Sequence, residues 1–365
     1  MRVPPLFQRV SVFRPSGFPD LLATIEGANP SSAVDGLDFD LNQPYVARWR
    51  FGIDRALGDN HTLKLEYVGA RGIHLMGKLG TINTPFPETL PDGRQFIAAG
   101  APLVNPAFGD IGMRRSQFNS FYQGFNALLL GSSGKSLRYQ IKYTWGKSID
   151  EASAALFDEF ANADLVPTVW DYRANRGPSS FDLRHAAVAN FSWELPQPAS
   201  SGLRPLLGGW RAHGAVTLQS GPPFSPTVGF DRARLGAARG DLGQRPDSIA
   251  AAGRDVILGD PSRWFDPAAF GLPDAGFLGN LGRNTLNADG VVNLDLAVHK
   301  DLFRTERQAW TLRVEAFNLT NHANFAIPSS LQLFNSGGSR IGSAGRVTGT
   351  TTPSRQVQLA LRWTF

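Results

Sequence analysis

Cysteine is absent from the chain, which excludes a disulfide framework, cysteine-based metal sites and thiol nucleophiles. Charge is scarce: Asp, Glu, Lys and Arg supply 18% of the residues and hydrophobic side chains 42%, whereas a soluble domain carries about 25% charged residues. The net charge of +5 is mild, and the basic residues are scattered singly. No patch that could track phosphates forms, so nucleic acid is not an expected partner. No apolar run approaches the length of about 18 residues that a membrane-spanning helix needs, which leaves a spanning strand open. The opening MRVPPLFQRVSVFRPSGFPD has neither an apolar h-region nor a small-residue cleavage site, so no secretory signal is read there.

Motifs for chemistry are lacking too. The sequence holds no G-x-S-x-G elbow, no H-E-x-x-H, no phosphate-binding G-x-x-x-x-G-K-[ST] loop and no G-x-G-x-x-G fingerprint. His61, His74, His185, His213, His299 and His322 stand singly, and Asp241, Asp247, Asp255 and Asp260 lack the spacing of a calcium loop. The expectation is a protein that is not an enzyme, with no catalytic residue, metal or cofactor. The sequons NFS (190–192) and NLT (318–320) fall within predicted strands and are read as coincidence.

What the chain does have is period two. The 39 Gly, 25 Pro and 11% aromatic residues favour strands and turns over helices. The last segment, RQVQLALRWTF, sets Val357, Leu359, Leu361, Trp363 and Phe365 at every second position. The same alternation recurs in 310–318, 292–300, 210–220, 187–195, 137–145, 45–57 and 62–72. The segment 121–130 is a further strand with poor alternation, and helical periodicity is confined to 151–164. The long stretches 75–118 and 222–288 contrast with the short 58–61, 132–135 and 304–308. In a membrane barrel, long loops and short turns segregate to opposite sides of the bilayer.

Alternation alone is equally the mark of a soluble sandwich. Three features favour lipid. The segments are longer than the usual sandwich strand of about five or six residues and match the roughly 9 to 11 needed to cross hydrocarbon at a tilt. Trp145, Trp193, Trp210, Trp310 and Trp363 collect at segment ends, where amphipathic rings meet headgroups. The chain closes on an aromatic residue in phase with its final strand. The fold expected is therefore all-β, an antiparallel transmembrane β-barrel with about 9 to 11 strands present and long loops on one side. Residues 1–365 form one unit, with 1–40 an irregular lead-in and 41–365 strands and loops.

On this pattern the wet-face charges Arg48, Arg50, Lys64, Glu66, Asp295, Arg313 and Glu315 point into a hydrated lumen. Asp182 and Arg184, immediately before a strand, are candidates for an ion pair at the barrel rim. Leu361, Trp363 and Phe365 look like the C-terminal signal that the bacterial barrel-assembly machinery recognises. The Gly found several residues earlier in the commonest form of that signal is replaced here by Leu359 or Ala360.

More of the chain resembles one family. The phrases QPYVARWRFGIDRAL, LEYVGARGIHL, YQIKYTWGKSID, NRGPSSFDLRHAAVANFSWELP, GWRAHGAVTLQSGPPFSPT, WFDPAAF, GNLGRNTLNADGVVNLDLAVHKDL and RVEAFNLTNHANFAIPSS precede GRVTGTTTPSRQVQLALRWTF in order over roughly residues 40–365. Their order resembles the C-terminal barrel half of TonB-dependent receptors of the Oar-like group. The resemblance implies a 22-stranded barrel in the bacterial outer membrane, plugged by an N-terminal domain that contacts TonB. Neither plug nor signal peptide is read in this sequence, so it is expected to be a fragment or truncated product. The implied partners are outer-membrane lipid, the barrel-assembly machinery, the TonB system through that N-terminal region, and a ligand left open between oligosaccharide, peptide and siderophore. Closure of these strands alone into a small barrel is conceivable. The rival readings are a non-transporting barrel, either a small pore or an adhesin, and a secreted soluble β-protein binding carbohydrate through its aromatics.

Overall fold

The computed structural model describes residues 7–8, 34–106, 108–154, 168–197, 202, 204–236, 243–250, 255–305 and 308–365. Nine long strands carry the architecture: β1 Tyr45–Ala56, β2 His61–Leu79, β3 Ile111–Ser133, β4 Leu137–Asp150, β5 His185–Glu194, β6 Trp210–Gln219, β7 Val291–Arg304, β8 Ala309–Phe317 and β9 Gln356–Thr364. Each pairs antiparallel with its sequence neighbour, giving an uninterrupted meander from β1 to β9. Three short strands join the same sheet. Phe7–Gln8 pairs with Val34–Leu37, which runs parallel to Ile111–Arg114, and Gly177–Pro178 extends the far end of β4. Among the described residues no helix is long and apolar enough to cross a membrane.

Every strand predicted from period two is present, and several run further than their alternation. The 23-residue β3 replaces the poorly alternating 121–130, and β2 continues to Leu79. The long stretch expected at 75–118 therefore shrinks to 80–110. Val34–Leu37 is a strand inside the lead-in expected to be irregular, fixed by an ion pair of 3.0 Å between Asp35 and the buried Lys78. Residues 318–320 lie in the turn after β8, not within a strand. The helix expected over 151–164 falls mostly outside the described residues, and 151–154 are not helical.

Register assigns the two faces. On one face lie Phe51, Tyr67, Phe125 and Trp145 in one row, and Trp310 with Trp363 in another, with Val314, Leu359, Leu312 and Leu361 between the ends. The opposite face carries most of the charged and amide side chains, while Arg71, Gln123 and Lys147 share the apolar face near its loop end. On β4 and β5, Trp145 and Trp193 sit eight residues apart in register. At about 3.4 Å per residue that is ~27 Å along the strand, or roughly 20 Å along the membrane normal at a tilt of ~40°, close to the apolar band of an outer-membrane barrel. The apolar face is bare. Ile141, Trp145, Leu218, Val314, Leu359 and Leu361 are all substantially exposed, and among the described residues no second layer of protein packs on them.

Close ring packing replaces side chains at several glycines. A Cβ at Gly69 would collide with the Trp49 indole, and one at Gly214 with the Phe191 ring. A flat ring laid over a cross-strand glycine shields its backbone and fixes the pairing. At the loop end of β2 the register slips between Gly72 and Leu75, where His74 adopts a positive φ of 56°. A bulge of this kind adds local twist.

All four long connections, 80–110, 151–184, 220–290 and 318–355, leave the same end of the sheet. The short turns after β1, β3 and β7 and the connection 195–209 occupy the other. The dry core of the molecule lies among the long loops. Phe224, Val228, Phe265, Phe270, Leu281 and Leu286 from one loop pack with Leu333, Phe334 and Val347 from another. Smaller clusters join Ile97 with Ala233 and Leu235, and Leu79 with Phe118 and Tyr172.

The sheet is open. Among the described residues β1 pairs only with β2 and β9 only with β8, and every residue of both edge strands is exposed. The conceivable closure of these strands into a small barrel is not observed.

Candidate functional site

Charges on the polar face are joined across strands. Arg50 Nε lies 2.9 Å from Glu66 Oε1, and Lys64 Nζ 2.7 Å from Asp54 Oδ2. Because Glu66, Asn126 and Thr144 share a register row, the chain of contacts continues. Asn126 Nδ2 donates to Glu66 over 3.1 Å, and Thr144 Oγ1 donates to Asn126 Oδ1 over 2.8 Å. Arg48 sits two residues before Arg50 on the same face, exposed. Exposed pairs of this kind stabilise by under ~1 kcal/mol each, so their physical effect is to hold these side chains in place on the polar face.

A second set spans β6 to β9. Asp301 accepts from Arg211 Nη2 at 2.7 Å and from Thr311 Oγ1 at 3.2 Å. Glu315 accepts from both Arg313 and Gln358. Asp295 accepts from Asn293 Nδ2 at 3.0 Å and from the backbone N–H of Asn318 at 2.8 Å, tying the end of β8 to β7. The rings of His213 and His299 lie 4.9 Å apart between these groups. Of the candidate lining residues, the structure therefore brings together Arg50 with Glu66 and Arg313 with Glu315. Asn126, Arg211 and Asp301 escaped sequence reasoning. Their signal was present as polar residues in phase with the wet face, but naming partners requires the register.

At the rim, Arg184 Nη2 lies 3.5 Å from Asp182 Oδ2, beyond good hydrogen-bonding range. The stronger contact of Asp182 is elsewhere: its Oδ1 accepts from the buried backbone N–H of Ser148 at 2.6 Å. Asp182 thus anchors the loop to β4 through the backbone, with Arg184 a lesser partner. The joint between sheet and loops is a residue that sequence reasoning passed over. Arg283, whose side chain is fully buried, pairs with Asp150 at the end of β4, and donates to Asp150 O at 2.8 Å and Ser153 Oγ at 3.1 Å. Nearby, Arg245 Nη1 donates to Asn175 Oδ1 at 2.8 Å, and Asn284 Nδ2 to Pro178 O at 2.8 Å. These bonds fasten 220–290 to 168–184.

The loop body contains a cleft of about 400 Å³ lined by Arg94, Trp170, Asp171, Asp247, Asp274 and Phe277, among others. The guanidinium of Arg94 lies over the Phe277 ring, 4.6 Å from its centroid, and Phe96 flanks Phe277 at 5.0 Å. Bonds from the backbone and side chain of Arg94 hold Asp92 below the usual carboxylate range. Asp247 caps the backbone N–H of Asn280 at 2.9 Å, whereas Asp255 and Asp260 bond within their own turns; Asp241 lies outside the described residues. Among the described residues no group of His, Cys, Asp and Glu is arranged to hold a metal. Aromatic faces beside carboxylates and a guanidinium suit a polar ligand with apolar surfaces.

The terminal residues form an aromatic stack on the bare face. Trp363 lies parallel to Trp310 at 5.5 Å, and Phe365 packs on Trp363 at 4.8 Å. Leu361, Trp363 and Phe365 are 55%, 50% and 87% exposed, an arrangement that water disfavours and lipid tolerates.

A family model described as "Outer membrane beta barrel domain" matches residues 5–358. No curated protein matches the sequence. Among solved structures, the chain is similar to the outer membrane transporter YddB from Escherichia coli, at 10% identity and a TM-score of 0.49, covering 92% of this chain and 34% of that one. It is also similar to FpvA of P. aeruginosa, solved bound to a heterologous pyoverdine with iron, at 10% identity and a TM-score of 0.35, covering 89% of this chain and 32% of that one. The chain spans about a third of the length of these solved proteins.

Proposed function

Because the chain belongs to the outer membrane beta barrel domain family, its sheet lies in the outer membrane, and we propose that it is the C-terminal barrel portion of a TonB-dependent transporter. In this reading the loop body captures a ligand outside the cell, and the polar face lines the lumen through which the ligand passes on energy delivered by TonB. Arg48, Arg50, Lys64, Glu66, Asp295, Arg313 and Glu315 keep that lumen hydrated. Leu361, Trp363 and Phe365 present the terminal strand to the barrel-assembly machinery.

The observation that carries the reading is the loop body itself. A pore needs a mouth, yet here four connections fold into a packed structure with its own dry core and an aromatic, acid-lined cleft. Order of that kind costs conformational entropy, and binding is what rigid loops on a scaffold are built to do. The ordered run of receptor-like phrases supports the same conclusion, since WFDPAAF and GNLGRNTLNADG fall within the loop body and the remaining phrases on or beside strands. Loop contacts vary independently of the scaffold, so the ligand is left at the level of oligosaccharide, peptide or siderophore.

The test is uptake in cells that carry the gene together with its upstream sequence, with and without TonB. Accumulation of a nutrient that disappears on removing TonB, and on replacing Trp170 and Phe277 with Ala, is the expected result. Ion conduction in planar bilayers with no TonB-dependent accumulation of any nutrient would overturn it in favour of a simple pore.

A further inference from the structure

The strongest feature that transport leaves unused lies on the outside of the sheet. Beyond the row Phe51, Tyr67, Phe125 and Trp145, at the loop end, a cleft of about 440 Å³ is lined by Arg71, Arg173 and Arg176 together with Phe121, Ile149 and Glu151. Register fixes its position. Arg71 pairs with Ala47 and Phe121, and Phe121 with Ile149, all on the face that carries Trp49 and Trp145. Pairing of Asp150 with Gly177 sets Arg176 alongside Glu151 at the same edge of the band, and Arg173 follows on the 3-10 turn Tyr172–Asn175.

We propose that this cleft binds the phosphate of an outer-leaflet lipid headgroup. Depth is the first argument. Arg71 is four residues beyond Tyr67 on β2, about 13 Å along the strand and roughly 10 Å along the normal at the tilt of such barrels. That is the level of headgroups, and long loops face the outer leaflet. Charge is the second. The acidic groups of the cleft are already engaged: Glu151 Oε2 accepts the backbone N–H of Asn119 at 2.8 Å and its side-chain amide at 3.2 Å, and Asp150 is held by Arg283. The three guanidiniums are exposed, and among the described residues no ion pair involves them. Planar forks of this type bind phosphate oxygens bidentately. Shape is the third. Trp49, two residues nearer the band than the Arg71 row, and Phe121, level with Arg71, lie 6.3 Å apart and form an apolar floor that runs from the arginines toward the membrane, where the acyl chains of a lipid anchored by its phosphate would lie. A soluble anion would gain nothing from that floor.

The proposal is tested on the full chain purified from outer membranes in detergent, by native mass spectrometry with a bisphosphorylated lipid A as probe. The expected result is one saturable adduct, at least about tenfold weaker for Arg71→Gln/Arg173→Gln/Arg176→Gln and unchanged for Lys135→Gln, in the turn after β3 at the opposite end of the sheet. Arg173→Glu alone, on an exposed turn, is expected to weaken the adduct without altering the far-ultraviolet circular dichroism, which separates loss of the site from loss of the fold. Retention of the adduct by the triple variant would overturn the proposal. So would displacement of the lipid by millimolar inorganic phosphate, which would mark a free-anion site, or equal binding of a dephosphorylated lipid A. Uptake plays no part in the readout, so failure here leaves the transport reading intact, and the reverse also holds.

Discussion

The sheet and the loop body place their apolar side chains in opposite ways. Along β9, Val357, Leu359 and Leu361 are 67%, 71% and 55% exposed, while in the loops Phe224, Phe265 and Leu333 are fully buried. The two regions share one chain and both carry large apolar side chains, so the difference lies in the solvent. In water, Phe265 must find protein partners and does so in Phe224 and Phe270, with ring centroids 5.9 Å away in each case. In the membrane, lipid tails are as apolar as Leu itself, and an uncovered face costs nothing. Backbone groups have no such freedom, since lipid offers them no hydrogen bonds. The sheet therefore satisfies its N–H and C=O groups strand by strand, and the outer edges of β1 and β9 are where this stops.

The contrast can be broken most severely in the loops. Phe265→Ala is expected to cost about 3 to 5 kcal/mol of loop-body stability through the cavity it leaves. Hydrogen exchange should rise across 224–288 and 327–347 while the amides of β4 to β6 keep their protection. A uniform rise through the sheet would show that the two regions melt as one.

On the sheet the larger effect comes from charge on the lipid side. Leu359→Arg is expected to cost roughly 2 to 4 kcal/mol near mid-depth, read as urea-dependent unfolding in vesicles. Gln358→Arg, on the polar face beside Glu315, should be far milder. Equal losses for the two would reverse the assignment of the faces.

The smallest effect expected is a pH dependence confined to the loops. Bonds from the side chain and backbone N–H of Ser262 hold Asp260 below its ordinary value of 3.8. A carboxylate depressed in the folded state adds stability that is fully present above its unfolded pKa and is lost as pH falls through the folded one. Exchange in the hairpin formed by Ile257–Asp260 and Arg263–Phe265 should therefore quicken only on acidification below about pH 4, and Asp260→Asn should remove that step. Acceleration already at neutral pH would assign it to another group.

Much of the sheet is legible from period two because each strand reports its own faces locally. The exception is instructive. In β3 the inner face carries Leu128 and Leu130, and at the loop end Phe118 is buried beneath Leu79 and Tyr172, so both faces read as apolar and the alternation blurs. The charges of the polar face were equally visible as wet-face residues, but the link from Glu66 through Asn126 to Thr144 was not, because a partner is chosen by register. The packed loop core was hidden behind a Gly- and Pro-rich composition that reads as irregular, although Trp264, Phe265 and Phe270 carried a signal in their aromatic density.

Alternation, aromatic placement and scarcity of charge by themselves determined an all-β chain with one face for lipid and one for water, since a side chain's face depends only on the parity of its position. Tertiary structure alone decided that the long loops form a dry-cored body, that Arg283 locks it to Asp150 across 133 residues of sequence, and that three arginines share one cleft above the apolar band. Those outcomes depend on which distant segments meet, and no local period encodes a meeting.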